Sequence, residues 1–318
     1  MAEIGKNIDF AADLLLKGKL VAIPTETVYG LAANALNQNA VLSIFEAKQR
    51  PFFDPLIIHL SSIDRVGKYA ELKDTRLINL ANAFWPGPLT LLLKKKDLIP
   101  DIVTSGLEQV AVRIPNHPLT IELLKKLDFP LAAPSANPFG YVSPTEPLHV
   151  QNQLGDKIDY ILDGDRCQIG LESTIVGIED DTVCVYRLGG LAVEDIEKTI
   201  GKVELRINSS SNPKVPGQLK SHYAPKKPLI IGNISEILKL NTNKKAAIIC
   251  FGEEEYSPTN KNVFNLSKTK NLSEAAINLF KFLRLADDCN AEIVICETLP
   301  EFGLGRAIND RLKRAAQT

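Results

Sequence analysis

Leu20-Val21-Ala22-Ile23-Pro24-Thr25-Glu26-Thr27-Val28-Tyr29-Gly30-Leu31 runs from four apolar residues straight into a polar turn. An apolar run of this length predicts a buried strand. In α/β folds the end of such a strand is where ligand-contacting groups sit. Thr25 and Thr27 alternate, which allows both to face one side. On these residues alone, a plain strand-to-turn junction with Gly30 serving backbone geometry is the simpler reading. Further apolar runs of strand length lie at 56–60, 89–93, 110–114 and 183–187. Helical spacing separates them. Over 39–48, Val41, Ile44, Phe45 and Lys48 recur at steps of three and four, and 119–127 is similar. Pro51 is expected to stop the first of these helices. The first 200 residues therefore read as mixed α/β.

After Gly201 the composition changes. Ser209, Ser210, Ser211, Asn212, Pro213, Pro216 and Gly217 fall close together, followed by Pro225 and Pro228, a linker signature. Between 201 and 228 there are six basic residues (Lys202, Arg206, Lys214, Lys220, Lys226, Lys227) and one acid, Glu204, a net of +5. A flexible tether and a basic arm folding over an anionic ligand both fit this pattern. Beyond it, 228–232, 246–251 and 291–296 read as buried strands. Ser273 is the expected N-cap of a helix carrying Ala276, Leu279, Phe280 and Leu283 on one face. A last helix, 306–314, has Ile308 and Leu312 inward. At roughly 150 residues per domain, 318 residues suggest about two domains. The division expected is 1–205, a linker at 206–228, and a smaller α/β domain at 229–318.

Polar residues cluster where the apolar runs end. Lys48 and Arg50 sit at a helix terminus, His59 closes the 55–60 run, and Arg113 and Arg187 end apolar strands. An arginine in an apolar strand needs an anion or dense hydrogen bonding. Ala132-Ala133-Pro134-Ser135-Ala136-Asn137-Pro138 is small and polar, which lets a ligand approach backbone amides. Ser143 follows, and Glu172-Ser173-Thr174 precedes the Ile175-Val176 run. Four cations (Lys48, Arg50, Arg113, Arg187) with several hydroxyls outnumber the carboxylates near them. That set suits a phosphate and a carboxylate held together. Paired acids for glycoside hydrolysis are not evident. GxSxG, the Walker-type phosphate loop and GxGxxG are all missing.

In this order, the segments resemble the YrdC-type family, whose longer, two-domain members are L-threonylcarbamoyladenylate synthases. The resemblance is carried by Pro24 to Leu31, Lys48-Gln49-Arg50-Pro51, Pro55-Leu56-Ile57-Ile58-His59 and Phe84-Trp85-Pro86-Gly87-Pro88-Leu89-Thr90. It continues through Val112-Arg113-Ile114-Pro115, Pro134-Ser135-Ala136-Asn137, Leu171 to Val176 and Arg187-Leu188-Gly189. It closes with Pro216-Gly217-Gln218-Leu219-Lys220-Ser221-His222-Tyr223-Ala224-Pro225, a linker peculiar to the two-domain branch. The fold implied is a YrdC-like twisted mixed-sheet domain followed by a smaller Rossmann-like α/β domain. The activity implied joins ATP, L-threonine and bicarbonate or CO2 into threonylcarbamoyl-adenylate and releases pyrophosphate. Its product feeds the t6A modification at position 37 of tRNAs, completed by downstream threonylcarbamoyl-transfer proteins. Mg2+ accompanies the ATP, and no prosthetic group is implied.

The resemblance also assigns roles. Thr27, His59, Arg113, Ala133 and Ser173 match positions that hold L-threonine, with Arg113 on its carboxylate. Lys48, Arg50, Asp54, Gln109, Ser135, Asn137, Ser143 and Arg187 match the nucleotide-facing set, Gln109 where Thr is usual. Lys48, Arg50 and Arg113 are the catalytic candidates. His222 and Tyr223 reach back over the site, and the basic linker becomes a lid that screens triphosphate charge and excludes water. The alternative is an RNA-binding module using a basic cleft without adenylate synthesis.

Composition limits that alternative. Lys and Arg total 37 against 38 Asp and Glu, a formal charge of -1, which excludes a uniformly basic nucleic-acid coat. Contact with tRNA is therefore expected to be weak. The five cysteines include no CxxC pair and read as reduced, partly buried thiols. The four histidines are dispersed, so no zinc motif can be read and the metal ligands stay undetermined. No secretory signal is read at the N-terminus and no run approaches a membrane span, so a cytoplasmic protein is expected.

Overall fold

The computed structural model describes residues 1–207, 215–217, 222–253 and 262–317. Ser209, Ser210, Ser211, Asn212, Pro213, Lys214, Gln218, Leu219, Lys220 and Ser221 of the linker lie outside them. A large twisted mixed sheet runs in the order Glu3–Gly5, Tyr160–Leu162, Val21–Ile23, Gly30–Asn34, Leu131–Ala132, Ile57–His59, Gln109–Arg113, Leu89–Lys95, Thr174–Glu179, Thr182–Arg187, Glu204–Leu205. Ala70–Glu71 adds to Leu89–Lys95.

The opening strand shows why its residues are apolar on both faces. Val21 and Ile23 pack with Ala11, Ala12 and Leu15 of helix Ile8–Leu16 and with Leu123 and Leu124 of helix Pro118–Lys125. Ala22 faces the opposite layer, with Val41, Ile44 and Phe45 of helix Gln38–Lys48. A strand covered on both sides has no solvent face, so its sequence does not alternate. Each such aliphatic side chain contributes about 1.5–3 kcal/mol when buried.

The second sheet has four parallel strands in the order Leu229–Ile231, Ile293–Cys296, Ala246–Cys250, Val263–Asn265. Helix Leu272–Asp288 buries Ala276, Leu279, Phe280 and Leu283. Helix Leu304–Ala315 buries Ile308 and Leu312, together with Asn309, Arg311 and Arg314.

Helix Leu272–Asp288 also joins the two sheets. Tyr141 Oη donates to Asp287 Oδ2 at 2.7 Å, and Arg166 Nη2 reaches Ile277 O at 3.1 Å and Asn278 Oδ1 at 2.9 Å. Gly170 lies in the left-handed region at φ 76°, and a Cβ there would stand 2.6 Å from Ala276 O. Only glycine permits that approach.

Three expectations are corrected. Asn271, not Ser273, caps the long helix, because its side chain accepts from Ser273 N and Glu274 N. Helix Gln38–Lys48 ends before Pro51 acts, because Gln49 turns left-handed at φ 54° and its N–H closes on Glu46 O and Phe45 O. The final helix begins at Leu304 rather than 306, with Gly303 as its cap residue. Among the described residues no disulfide forms, and no helix is long and apolar enough to cross a membrane.

Candidate active site

The sheet register builds a cleft at the strand ends. Parallel pairing sets His59 opposite Arg113, and antiparallel pairing sets Thr90 opposite Arg113. Thr174 aligns with Leu89, which brings Ser173 Oγ to 2.7 Å from Thr90 Oγ1. Ile175 pairs with Arg187. A cleft opens here. Its walls include Thr25, Arg50, His59, Arg113, Ala133, Ser135, Glu172, Ser173, Arg187, His222 and Tyr223.

The guanidinium groups are buried and partnered. Arg113 Nη2 lies 2.8 Å from Glu26 Oε1, and its Nε donates to Gly87 O at 3.3 Å. Arg50 Nη2 lies 2.8 Å from Asp54 Oδ2 and donates to Pro55 O at 2.8 Å, while its Nε reaches Asp54 O. Arg187 donates to Ser173 O, Ser173 Oγ and Pro216 O. The four expected cations, Lys48, Arg50, Arg113 and Arg187, still outnumber the carboxylates here, but three acids that the sequence reading did not weigh against them, Glu26, Asp54 and Glu172, stand at this centre. A buried arginine without a counter-charge would be too costly, so each acid here compensates a cation.

Donor and acceptor capacity is left over. Glu26 Oε1 and Oε2, Asp54 Oδ1 and Oδ2, Arg113 Nη2, His59 Nδ1, His222 Nδ1 and Asn137 Oδ1 have no hydrogen-bond partner, although the two ion pairs are close. The pairs are thus close Coulombic contacts that do not meet hydrogen-bonding geometry.

Other expected site residues stand just behind the wall. Lys48 is fully buried and donates to Ser135 O and Asn137 O, so it pins the small polar turn rather than facing the cleft. Thr27 Oγ1 lies 2.7 Å from Thr25 Oγ1. Asn137 Nδ2 donates to Pro138 O and Tyr141 O. Ser143 Oγ donates to Glu172 Oε1. Gln109 stands apart. It opens strand Gln109–Arg113 opposite Lys94, four residues from Arg113 or about 13 Å at the usual strand rise.

Burial sets the charge states. Desolvation, reinforced by Arg113, lowers His59 to about 3. Desolvation, with Arg50, Lys48 and other cations nearby, drives His222 well below the ordinary range. Both imidazoles are neutral at pH 7. Desolvation also lowers Lys48 and Arg50 and raises Asp54, and it brings Arg187 to about 10.

The lid residues are clamped. His222 and Tyr223 are buried, their ring centroids 4.1 Å apart, and Tyr223 takes a left-handed φ of 65°. Tyr223 stacks on Phe280 at 5.7 Å and lies beneath Arg311, whose guanidinium carbon is 5.1 Å from the ring centroid. Ala224 N donates to Gly140 O. A Cβ on Gly217 would meet Tyr223 Oη at 2.8 Å. Of the linker's six basic residues, Arg206 pairs with Glu179 and Glu204, and Lys227 Nζ caps Ala286 O, Asp287 O and Cys289 O. Lys214 and Lys220 lie outside the described residues.

Sequence reasoning did not assign site roles to Glu26 or Glu172, although both sit inside the quoted motifs. Arg311 and Phe280 carried no local signal.

A buried guanidinium cluster at one cleft of a twisted mixed sheet is chemically suited to holding an anion. A family model for Sua5/YciO/YrdC proteins, described as telomere recombination, matches residues 13–189. A second, described as the threonylcarbamoyl-AMP synthase C-terminal domain, matches 191–317. The chain belongs to the Sua5/YciO/YrdC family, in its long two-domain form. It is 40% identical to a threonylcarbamoyl-AMP synthase of Pyrococcus abyssi over 98% of this chain and 94% of that protein. It is 38% identical to that of Bacillus subtilis over 96% of this chain and 92% of that protein. The crystal structure of P. abyssi Sua5 complexed with L-threonine superposes with a TM-score of 0.91 at 38% identity, covering 99% of this chain and 97% of that one. A P. abyssi Sua5 structure in which an adjacent His and Tyr are both replaced by Ala matches equally, at a TM-score of 0.91 and 38% identity over 99% of this chain and 96% of that one.

Proposed function

We propose that this chain synthesises threonylcarbamoyl-AMP from L-threonine, ATP and bicarbonate or CO2, for the t6A modification of tRNA. The observation that supports it most is the convergence of Arg50, Arg113 and Arg187 on one cleft, among hydroxyls and unpartnered polar atoms. Such a centre suits a carboxylate and a triphosphate bound side by side.

L-threonine binds among Thr27, His59, Arg113, Ala133 and Ser173, its carboxylate on the Arg113 fork. ATP lies along Arg50, Ser135, Asn137, Ser143 and Arg187, under His222 and Tyr223. Lys48 and Asp54 act from behind, Lys48 on the turn and Asp54 on Arg50. Gln109, at the far end of its strand, stands outside this set. The threonine amine, once neutral, forms an N–C bond to CO2 and loses a proton, giving a carbamate. A carbamate oxygen then forms a bond to the α-phosphorus. The bond from that phosphorus to the bridging oxygen breaks, and pyrophosphate leaves. No side-chain nucleophile is needed, so positioning and charge neutralisation carry the catalysis. His59, held neutral far below pH 7, is a hydrogen-bonding positioner rather than a strong base.

Among the described residues no group of three or more His, Cys, Asp and Glu gathers to hold a metal. The carboxylates at the site each face an arginine. Mg2+ accompanies ATP as part of the substrate, held by phosphate oxygens and water. The catalytic part is residues 1–205, with 206–228 the lid and 229–318 its support. Downstream tRNA threonylcarbamoyl-transfer proteins in the cytoplasm consume the product, and direct tRNA contact is weak.

The test is incubation of the purified protein with ATP, Mg2+, isotopically labelled L-threonine, with and without bicarbonate, followed by rapid quench and mass spectrometry. A bicarbonate-dependent labelled adduct with pyrophosphate release is expected. A folded, ATP-binding protein that forms no adduct would overturn the reading and turn attention to salt-dependent RNA binding.

A further inference from the structure

Helix Leu304–Ala315 lies in the second domain, yet one turn of it reaches the first domain's cleft. Arg311 is fully buried. Its Nε donates to Glu172 Oε2 at 3.0 Å, and Glu172 in turn accepts from Ser143 Oγ. The guanidinium plane covers the Tyr223 ring. Three residues on, Arg314 O accepts from His222 N at 3.4 Å, and Arg314 Nη2 donates to Ile207 O at 3.0 Å. One helical turn thus holds the entry to the linker at Ile207 and its return at His222 and Tyr223. Residues i and i+3 share a helix face, so the two arginines act on one surface.

The contact has a physical consequence. Tyr223 is held at a positive φ, a strained conformation for a residue with a Cβ. That conformation persists only where surroundings over-determine it. Arg311 covers one part of the ring, Phe280 stacks on another, and His222 packs beside it. Two of these three groups come from the second domain. The same arginine compensates Glu172, a cleft wall residue whose other oxygen accepts a hydrogen bond from Ser143 Oγ.

We propose that Arg311 is a positioning residue of the nucleotide site: its guanidinium sets Tyr223 in the closed lid and, through Glu172, ties that placement to Ser143. The second domain is then part of the active site's construction, and nucleotide affinity is set across the domain junction. Arg311 acts through Tyr223 and Glu172 and does not itself touch the reacting atoms. The proposal rests on the synthase reading above for the identity of the nucleotide.

Full-length wild type, Arg311→Met, Arg311→Lys, Tyr223→Ala and the Tyr223→Ala/Arg311→Met double variant are compared. Circular dichroism and thermal melts are read first, and ATP affinity is measured by calorimetry with no turnover. Arg311→Met is expected to weaken ATP binding about tenfold or more. Arg311→Lys, which keeps the charge toward Glu172 but loses the planar face over Tyr223, is expected to fall between it and wild type. In the double variant the two losses should not multiply, because Arg311 works through the ring that Tyr223→Ala removes. Multiplying losses, or a folded Arg311→Met with wild-type ATP affinity, overturns the proposal. If Arg311→Met does not fold, the Arg311→Lys and Tyr223→Ala pair completes the same cycle. Adduct formation by wild type is scored separately. A wild type that binds ATP but makes no adduct sinks the synthase reading while leaving the coupling measurable.

Discussion

Glu26 Oε1 stands 2.8 Å from Arg113 Nη2, with the two side chains 4% and 5% exposed, and the contact makes no hydrogen bond. The carboxylate thus compensates the guanidinium charge at short range while both groups are buried, and Arg113 itself stands in the cleft wall. Glu26→Gln removes the counter-charge at nearly constant volume. Breaking a buried pair from one side costs about 3–5 kcal/mol, and at about 2–4 °C per kcal/mol the melting temperature should fall by several degrees. L-threonine should then stabilise the variant more than wild type, because its carboxylate supplies the missing charge. Melting curves with and without threonine check this. An equal threonine-induced shift in both proteins would count against Arg113 as the carboxylate site.

Arg50 and Asp54 form a second sealed pair, but the two partners are not equivalent. Arg50 keeps two backbone acceptors, Asp54 O and Pro55 O, if the carboxylate is neutralised. Asp54 has no hydrogen bond to fall back on. Arg50→Ala should therefore cost about 3–5 kcal/mol and Asp54→Asn distinctly less. Urea unfolding of both variants measures the asymmetry, and equal losses would contradict it.

The apolar strands and their polar ends were legible because strand length and composition are local properties. Val21–Ile23 and Ile57–His59 fall within the runs read from sequence, and Thr182–Arg187 begins one residue before its run. Arg113 and Arg187 were legible because a charge at the end of an apolar run needs an explanation, whereas Arg50 was read from a helix terminus and His59 from the close of its run. What compensates those charges was not legible. Glu172 meets Arg311 across 139 positions in the chain, and no pattern along the sequence encodes that meeting. Gln49 and Asn271 were missed for a smaller reason. Their roles depend on dihedral angles, and a nearby proline or serine offered an equally good local stop or cap. Lys48 shows the limit of motif matching: its position was read, but its ammonium serves two backbone carbonyls instead of the open cleft.

That arrangement gives Lys48 a testable role. Its ammonium is the common anchor of Ser135 O and Asn137 O, so Lys48→Met should leave the sheet intact and free the turn that faces the nucleotide. ATP affinity should drop by about tenfold or more while threonine affinity changes little. Calorimetry with each ligand separates the two. A variant with weakened threonine binding and unchanged ATP binding would place Lys48 on the wrong substrate.

The buried imidazoles make stability depend on pH in a definite direction. His59 is lowered to about 3 by burial and by Arg113, whereas the unfolded chain takes up that proton near 6.5. A group whose folded value is depressed contributes fully above the unfolded value and loses its contribution as pH falls. The loss should run from about pH 6.5 toward 3, at up to about 1.4 kcal/mol per pH unit for one histidine. His222 adds to it in the same direction. Asp54, raised by burial, opposes it weakly in acid, since the folded state holds that proton more tightly. His59→Gln should therefore flatten the acid limb by up to one proton's share between about pH 6 and 4. Urea titrations of wild type and variant at those two pH values give the slopes directly. Parallel slopes would mean that His59 is solvated enough to titrate in the folded protein, and its assignment as a neutral positioner would fall.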